Sequence, residues 1–155
     1  MRSAHVSSMA MTTSVVLAQR LRDRGLRLTS QRLAVLAAIE AHPDHPDAAT
    51  IARAARAQSG SISTQAVYNV LDDLTQAGLI RRIEPAGSPA RYETRVADNH
   101  HHIVCRSCAA TIDVDCVVGH APCLKPSSRH GFQVDEAEVT FWGICGACRG
   151  QRRAP

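Results

Sequence analysis

Two short motifs constrain this chain more than anything else in it: Cys105-x-x-Cys108 and Cys145-x-x-Cys148, separated by 36 residues. Each pair puts two thiolates on one tight turn. Two such turns complete a tetrahedral shell of four sulfurs, the arrangement that Zn²⁺ takes. The gap between the pairs exceeds zinc-ribbon spacing, so the expectation is a staple joining distant strands rather than a local knuckle. A single C-x-x-C could serve as a redox dithiol; two matched pairs without a flanking βαβ pattern favour structural zinc. Cys116 and Cys123 are left over. They read as small buried apolar residues, with an accessory redox pair as the alternative.

Six cysteines in 155 residues suit metal ligation in a reducing compartment better than disulfides. The N-terminus has no apolar block followed by a small-residue cleavage site, and no apolar run approaches the roughly 20 residues of a membrane span. A cytoplasmic protein with no membrane partner is expected, and Met9 and Met11 are alternative starts. The net charge of +4 permits nucleic-acid binding without arguing for it, since a solvated basic face looks the same. Only five residues are aromatic, so the core must be Ala, Val, Leu and Ile.

The chain divides by chemistry. Residues 1–13 have no clear period and read as a disordered arm; residues 151–155 read as a basic tail. Residues 14–97 are helical first. One helix is expected over Val15–Arg24, ending at Gly25, and a second is capped by Thr29 or Ser30 and stopped by His42-Pro43. A third spans Asp47–Ala57. Ser63 or Thr64 caps the fourth, where Val67, Val70, Leu71 and Leu74 follow helical spacing up to Gly78. LIRRIEP and ARYETRV, split by Pro85-Ala86-Gly87-Ser88-Pro89, then read as a hairpin. Helices followed by a hairpin is the order of a winged helix-turn-helix, with residues 63–77 in the recognition position.

From His100 onward lie all six cysteines and five of the eight histidines. Strands are expected at His102–Cys105, Thr111–Asp115 and Val139–Trp142. Residues 98–150 read as a small α/β domain needing metal for stability. The fold class is α+β. In His100-His101-His102 an extended backbone sends His100 and His102 to one side and His101 to the other. Glu93, Asp113 and His45 bring the set to three imidazoles and two carboxylates, a nitrogen–oxygen site suited to Fe²⁺, Mn²⁺ or Zn²⁺.

Taken together, GLRLTSQR (25–32), HPDAATI (45–51), STQAVYNVL (63–71), GLI (78–80), RYE (91–93), DNHHHIVCRSC (98–108) and CGAC (145–148) make the chain resemble the ferric uptake regulator (Fur) superfamily over residues 15–150. DVDCVVGHAPC (113–123) and DEAEV (135–139) are similar to its actinobacterial FurA group, associated with control of catalase-peroxidase. The resemblance implies a homodimeric, metal-dependent transcriptional repressor with a winged-helix domain and a C-terminal dimerisation domain. It implies Cys105, Cys108, Cys145 and Cys148 as structural zinc ligands, and His45, Glu93, His100, His102 and Asp113 as the regulatory site. Tyr68, Gln65 and Asn69 fall on the recognition helix, and Arg27 and Thr29 on the DNA backbone. A further family site falls on Asn99, His101, His120 and Ala137; it is incomplete here or rebuilt with Glu136 or Glu138. Asp113 matches peroxide sensors of the PerR type, whereas Glu93 stands where that type has Asp.

The expected function is a repressor on double-stranded operator DNA that senses peroxide through bound iron and controls catalase-peroxidase and its own gene. The regulatory ion is Fe²⁺ or Mn²⁺, beside structural Zn²⁺. The alternatives are an iron-occupancy sensor controlling iron uptake and a thiol-based redox regulator. An enzyme is not expected. A thiol oxidoreductase would want one exposed low-pKa cysteine, and a hydrolase a base beside an open metal and a cleft for a small-molecule substrate; neither is readable.

Overall fold

A computed structural model describes residues 3–96, 98, 100–115, 126–134 and 137–151, with side chains from 13 to 150 of these. The chain divides into two units, 1–96 and 97–155.

The N-terminal unit holds α1 (Ser3–Asp23), α2 (Ser30–Glu40), α3 (Ala48–Ser59) and α4 (Thr64–Gln76), then β1 (Arg81–Ile83) and β2 (Arg91–Glu93). Each of α2 to α4 starts where a short polar side chain takes up a free backbone N–H. Thr29 Oγ1 accepts from Arg32 N at 3.2 Å, an Asp47 carboxylate oxygen from Thr50 N at 2.8 Å, and Ser63 Oγ from Ala66 N at 3.1 Å. Gly78 ends the run after α4 at φ +65°, with Leu79 N donating to Leu74 O at 3.0 Å, the left-handed stop that glycine favours. The first helix corrects an expectation. It begins at Ser3, not Val15, so residues 3–13 of the expected disordered arm are helical. Residues 3–13 contain no Gly or Pro, and Ala4, Met9, Ala10 and Met11 are helix formers.

The core of this unit is aliphatic. Leu17 and Leu21 from α1, Val35, Leu36 and Ile39 from α2, Ile51 and Ala55 from α3 and Leu71 and Leu74 from α4 are buried together. Tyr92 on β2 joins them, and burial pushes its phenol above the usual range. The opposite face of α4 is left exposed, with Gln65, Tyr68 and Asn69 on it. The two strands pair antiparallel, Arg81 opposite Glu93 and Ile83 opposite Arg91, around the proline-rich turn.

The C-terminal unit is a three-stranded sheet in the order β4-β3-β5, where β3 is His100–Cys105, β4 Thr111–Asp115 and β5 Thr140–Gly143, followed by α5 (Gly146–Gln151). β3 runs antiparallel to β4, with His102 opposite Asp113, and parallel to β5, with Cys105 opposite Gly143. Among the described residues of this unit, only Val104, Cys105 and Cys148 are buried apolar side chains. A unit as short as 97–155 usually adds a staple to its core.

Candidate functional site

The parallel pairing of β3 and β5 explains how 36 residues separate the cysteine pairs without separating the cysteines. Both strands end on the same edge, so Cys105 at the end of β3 meets Cys145, two residues beyond β5. A tight turn through Ala109 (φ +58°) returns Cys108 toward Cys105, whose carbonyl accepts from Ala109 N at 2.9 Å. α5 brings in Cys148 one turn after Cys145. All four sulfurs lie within 4.8 Å of one another, and those of Cys108 and Cys145 are 3.8 Å apart. Zinc–sulfur bonds of about 2.3 Å require a tetrahedral edge of about 3.8 Å, so the geometry fits zinc.

The thiol chemistry points the same way. Cys145 N donates to Cys105 Sγ at 3.3 Å. That bond, with the backbone N–H groups of Cys108 and Ser107, lowers the Cys105 thiol to about 6. The Ser107 hydroxyl pulls Cys148 down, but the sulfurs of Cys145, Cys108 and Cys105 outweigh it and push that thiol up to about 11. Four converging sulfurs repel one another as thiolates, and a divalent cation removes the conflict.

In the N-terminal unit, His45 and Glu93 are both buried, and Glu93 Oε2 accepts from His45 Nε2 at 2.9 Å. His45 has left-handed backbone, φ +57°. It stands in the loop before α3, and Glu93 ends β2; Arg81 across the hairpin places its Nε 4.0 Å from Glu93 Oε1. A buried nitrogen and a buried carboxylate facing each other could serve as two donors of an ion site.

In the C-terminal unit the period of two divides the histidines as expected. His100 and His102 share one face, their ring centroids 5.0 Å apart, and their Nε2 atoms lie 3.8 and 3.5 Å from Asp113 Oδ1. His101 lies against Phe141 on the other face, and its Nδ1 is buried without a hydrogen-bond partner among the described residues. Asp98 was not expected to contribute. Its Oδ1 accepts from His100 Nδ1 at 2.8 Å, which leaves Nε2 as the lone-pair nitrogen for an ion. Its signal was only a carboxylate two residues before the triplet. Glu138 Oε1 lies 4.0 Å from His102 Nδ1. His120 and Glu136, the other members of the accessory set, lie outside the described residues, as do Asn99, Cys116 and Cys123.

The residues expected to meet DNA fall on one unit. A cavity of about 350 Å³ is lined by Arg27, Thr29, Gln31, Arg32, Asn69 and Asp73 among others, so three of the five share one hollow. Gln65 Nε2 donates to Asn69 Oδ1 at 2.9 Å along α4, and Tyr68 stands exposed between them. Two arginines not singled out from the sequence brace this face. Arg32 donates to Arg27 O at 2.8 Å and to Asp73 Oδ2 at 2.6 Å, tying α2 to α4. Arg56 donates to Ile62 O at 2.8 Å and to Thr64 Oγ1 at 3.0 Å, holding the turn between α3 and α4.

The model of the Ferric uptake regulator family matches residues 23–142. The transcriptional regulator FurA of Mycobacterium tuberculosis (strain H37Rv) is 58% identical over 131 residues, covering 84% of this chain and 88% of that protein. Ferric uptake regulation protein 1 of Mycolicibacterium fortuitum is 55% identical over 132 residues, covering 85% and 81%. Among solved structures, the Helicobacter pylori ferric uptake regulator, described as having three functional metal binding sites, superposes with TM-score 0.65 at 20% identity, covering 90% of this chain and 93% of that one. A zinc uptake regulator complexed with zinc and DNA superposes with TM-score 0.62 at 20% identity, covering 92% and 99%. At those identities the structural likeness speaks to fold; the sequence matches carry the family. This chain belongs to the ferric uptake regulator family.

Proposed function

We propose that the protein is a homodimeric, cytoplasmic, metal-dependent repressor that binds double-stranded operator DNA and senses peroxide through iron at its regulatory site. The carrying observation is that each unit presents an incomplete set of donors: buried His45 with buried Glu93 in one, buried His100 and His102 with half-buried Asp113 in the other. Two donors or three leave an ion unsaturated, and five from both units satisfy a divalent cation of the Fe²⁺ or Mn²⁺ kind. An ion shared by both units would fix the angle between them, and in a dimer one angle sets two recognition helices at the spacing of successive major grooves. Its occupancy would favour the DNA-competent state according to its differential affinity for that state. The relatives named as transcriptional regulators support this reading, and it assigns no catalytic residue. No helix among the described residues is long and apolar enough to cross a membrane.

The chain's own residues take these parts. Cys105, Cys108, Cys145 and Cys148 hold structural Zn²⁺ and keep β3 and β5 together. Asp98 orients His100. Arg27 and Thr29 meet phosphates, while Gln65, Tyr68 and Asn69 reach base edges from α4. His45, Glu93, His100, His102 and Asp113 would hold the iron, which when bound would supply redox chemistry toward peroxide. One peroxide oxygen would pass to a ring carbon of His45 or His100, the other would leave as water, and the oxidised imidazole would be a poorer ligand. Asp113 and the FurA-like segment support peroxide over iron occupancy as the signal, and the targets expected are catalase-peroxidase and the protein's own gene.

The test loads the zinc protein with Fe²⁺ or Mn²⁺ without oxygen and follows binding to its own upstream DNA before and after peroxide. Loss of binding in the iron form alone, with added oxygen on the His45 or His100 peptide, is expected. Unchanged binding in the iron form would leave an iron-occupancy sensor. Equal loss in both forms, with zinc release, would move the switch to the thiolates.

A further inference from the structure

Strand β2 holds the His45 segment at more points than a ligand pair requires. Glu93 accepts from the ring, and two residues earlier Arg91 Nη1 donates to the His45 carbonyl oxygen at 2.9 Å. Between them, Tyr92 N donates to Pro46 O at 3.1 Å, and Arg91 and Asp47 form an isolated antiparallel bridge. The period of two sends Arg91 and Glu93 to the same side of the strand, so one side grips both the backbone and the ring of His45.

Two features mark the Arg91 bond as more than incidental packing. His45 occupies left-handed backbone at φ +57°, which a residue with a Cβ keeps only where its surroundings over-determine it. Arg91 Nε is buried and has no hydrogen-bond partner among the described residues. A buried donor left unmet is uncommon, and here it belongs to the same guanidinium that holds the carbonyl of a left-handed residue.

We propose that Arg91 is a positioning residue of the regulatory site, holding His45 in the backbone conformation that presents its imidazole to the ion. The inference rests on the reading of His45 as a ligand. Strand β2 is also half of the hairpin β1–β2, so the hairpin and the ligand become one segment. The Asp47 carboxylate, which caps α3, completes the link: it accepts from Thr50 N, and its backbone bridges Arg91. An ion drawing on His45 is thereby coupled to the hairpin and to the start of α3 through bonds already made.

The test uses the full chain with its zinc and Mn²⁺ as the probe, with free Mn²⁺ counted by electron paramagnetic resonance. Arg91→Met keeps the length of the side chain and removes its donors. It should weaken Mn²⁺ binding about 10- to 100-fold, the usual effect of removing a residue that orients a ligand, with zinc content unchanged. Arg91→Lys can still donate to the carbonyl and should recover most of that loss. Should the methionine variant fail to fold, Arg91→Gln, too short to reach the carbonyl, gives the same comparison. Wild-type affinity in the methionine or glutamine variant, with His45→Ala having lost the ion, would overturn the role of Arg91 alone. Equal weakening in the lysine variant would also overturn it, since the bond would not be what matters. Wild-type affinity in His45→Ala would overturn instead the reading of His45 as a ligand.

Discussion

Asp98 fixes one nitrogen of His100 and leaves the other for an ion, so its effect should be seen in metal affinity before anything else. Asp98→Asn should weaken Mn²⁺ binding about 10-fold or more in a titration of the zinc-containing protein; an unchanged affinity would remove Asp98 from the site. Asp47 shows a different residue-scale effect. The Thr50 N–H, reinforced by Arg91 and Arg53, holds its carboxyl below the ordinary 3.8 against the opposing pull of burial. A depressed carboxyl contributes stability that is present above its unfolded value and lost as pH falls through the folded one. Asp47→Asn keeps a capping acceptor without the charge. Its deficit in urea unfolding should therefore be full at neutral pH and shrink below 3.8; a deficit independent of pH would contradict this. Sequence reasoning placed His45, Glu93, His100, His102 and Asp113 through family likeness more than spacing. Asp98 and Arg91 stood inside the same matching segments without a role, because hydrogen bonds to a ring nitrogen or a carbonyl leave no periodic trace.

At the scale of elements, α4 carries both the core and the exposed face expected for DNA. Leu71 is fully buried within it, and Leu71→Ala should cost about 2–5 kcal/mol in chemical denaturation. Gly78 ends the same stretch at φ +65°, and a Cβ there would come within 3.1 Å of Arg24 Nη1. Gly78→Ala should cost about 1–2 kcal/mol, chiefly from backbone, since the arginine tip can move. A loss near zero would mean that the turn relaxes freely. Helix α4 was legible because a capping side chain and a 3.6-residue apolar period agreed there, and α2 because a capping residue and the His42-Pro43 stop bounded it. The strands β3 and β4 were legible as short strand-like runs, although β3 starts at His100 rather than His102 because the ladder to β4 continues to Asp115. Helix α5 was not expected: its six residues include two glycines and are too few to show a period.

At the scale of the whole molecule, the two units should respond differently to loss of zinc. The N-terminal unit has its own aliphatic core, whereas the proposed zinc cluster would be what holds the C-terminal unit. Trp142 is the single tryptophan and lies on β5, with the Arg106 guanidinium 5.1 Å from its ring centroid. Chelating zinc should therefore shift Trp142 emission to the red while circular dichroism keeps most of its helical signal. Unchanged emission from protein shown to be free of zinc would contradict a structural role for the cluster. The four-cysteine staple was foreseeable from spacing, but the parallel pairing of β3 with β5 was not, because strand order depends on contacts between segments far apart in the chain.

In the proposed mechanism one ion would be shared between donors from both units and would govern binding to DNA. The most direct measurement counts Mn²⁺ bound per zinc-loaded chain and follows operator affinity in wild type, His45→Ala, His100→Ala and the double variant. A shared ion predicts one equivalent in wild type, lost in either single variant together with operator binding, and no further loss in the double. Retention of the ion by either single variant, or additive losses in the double, would mean that each unit holds its own ion and would contradict the claim.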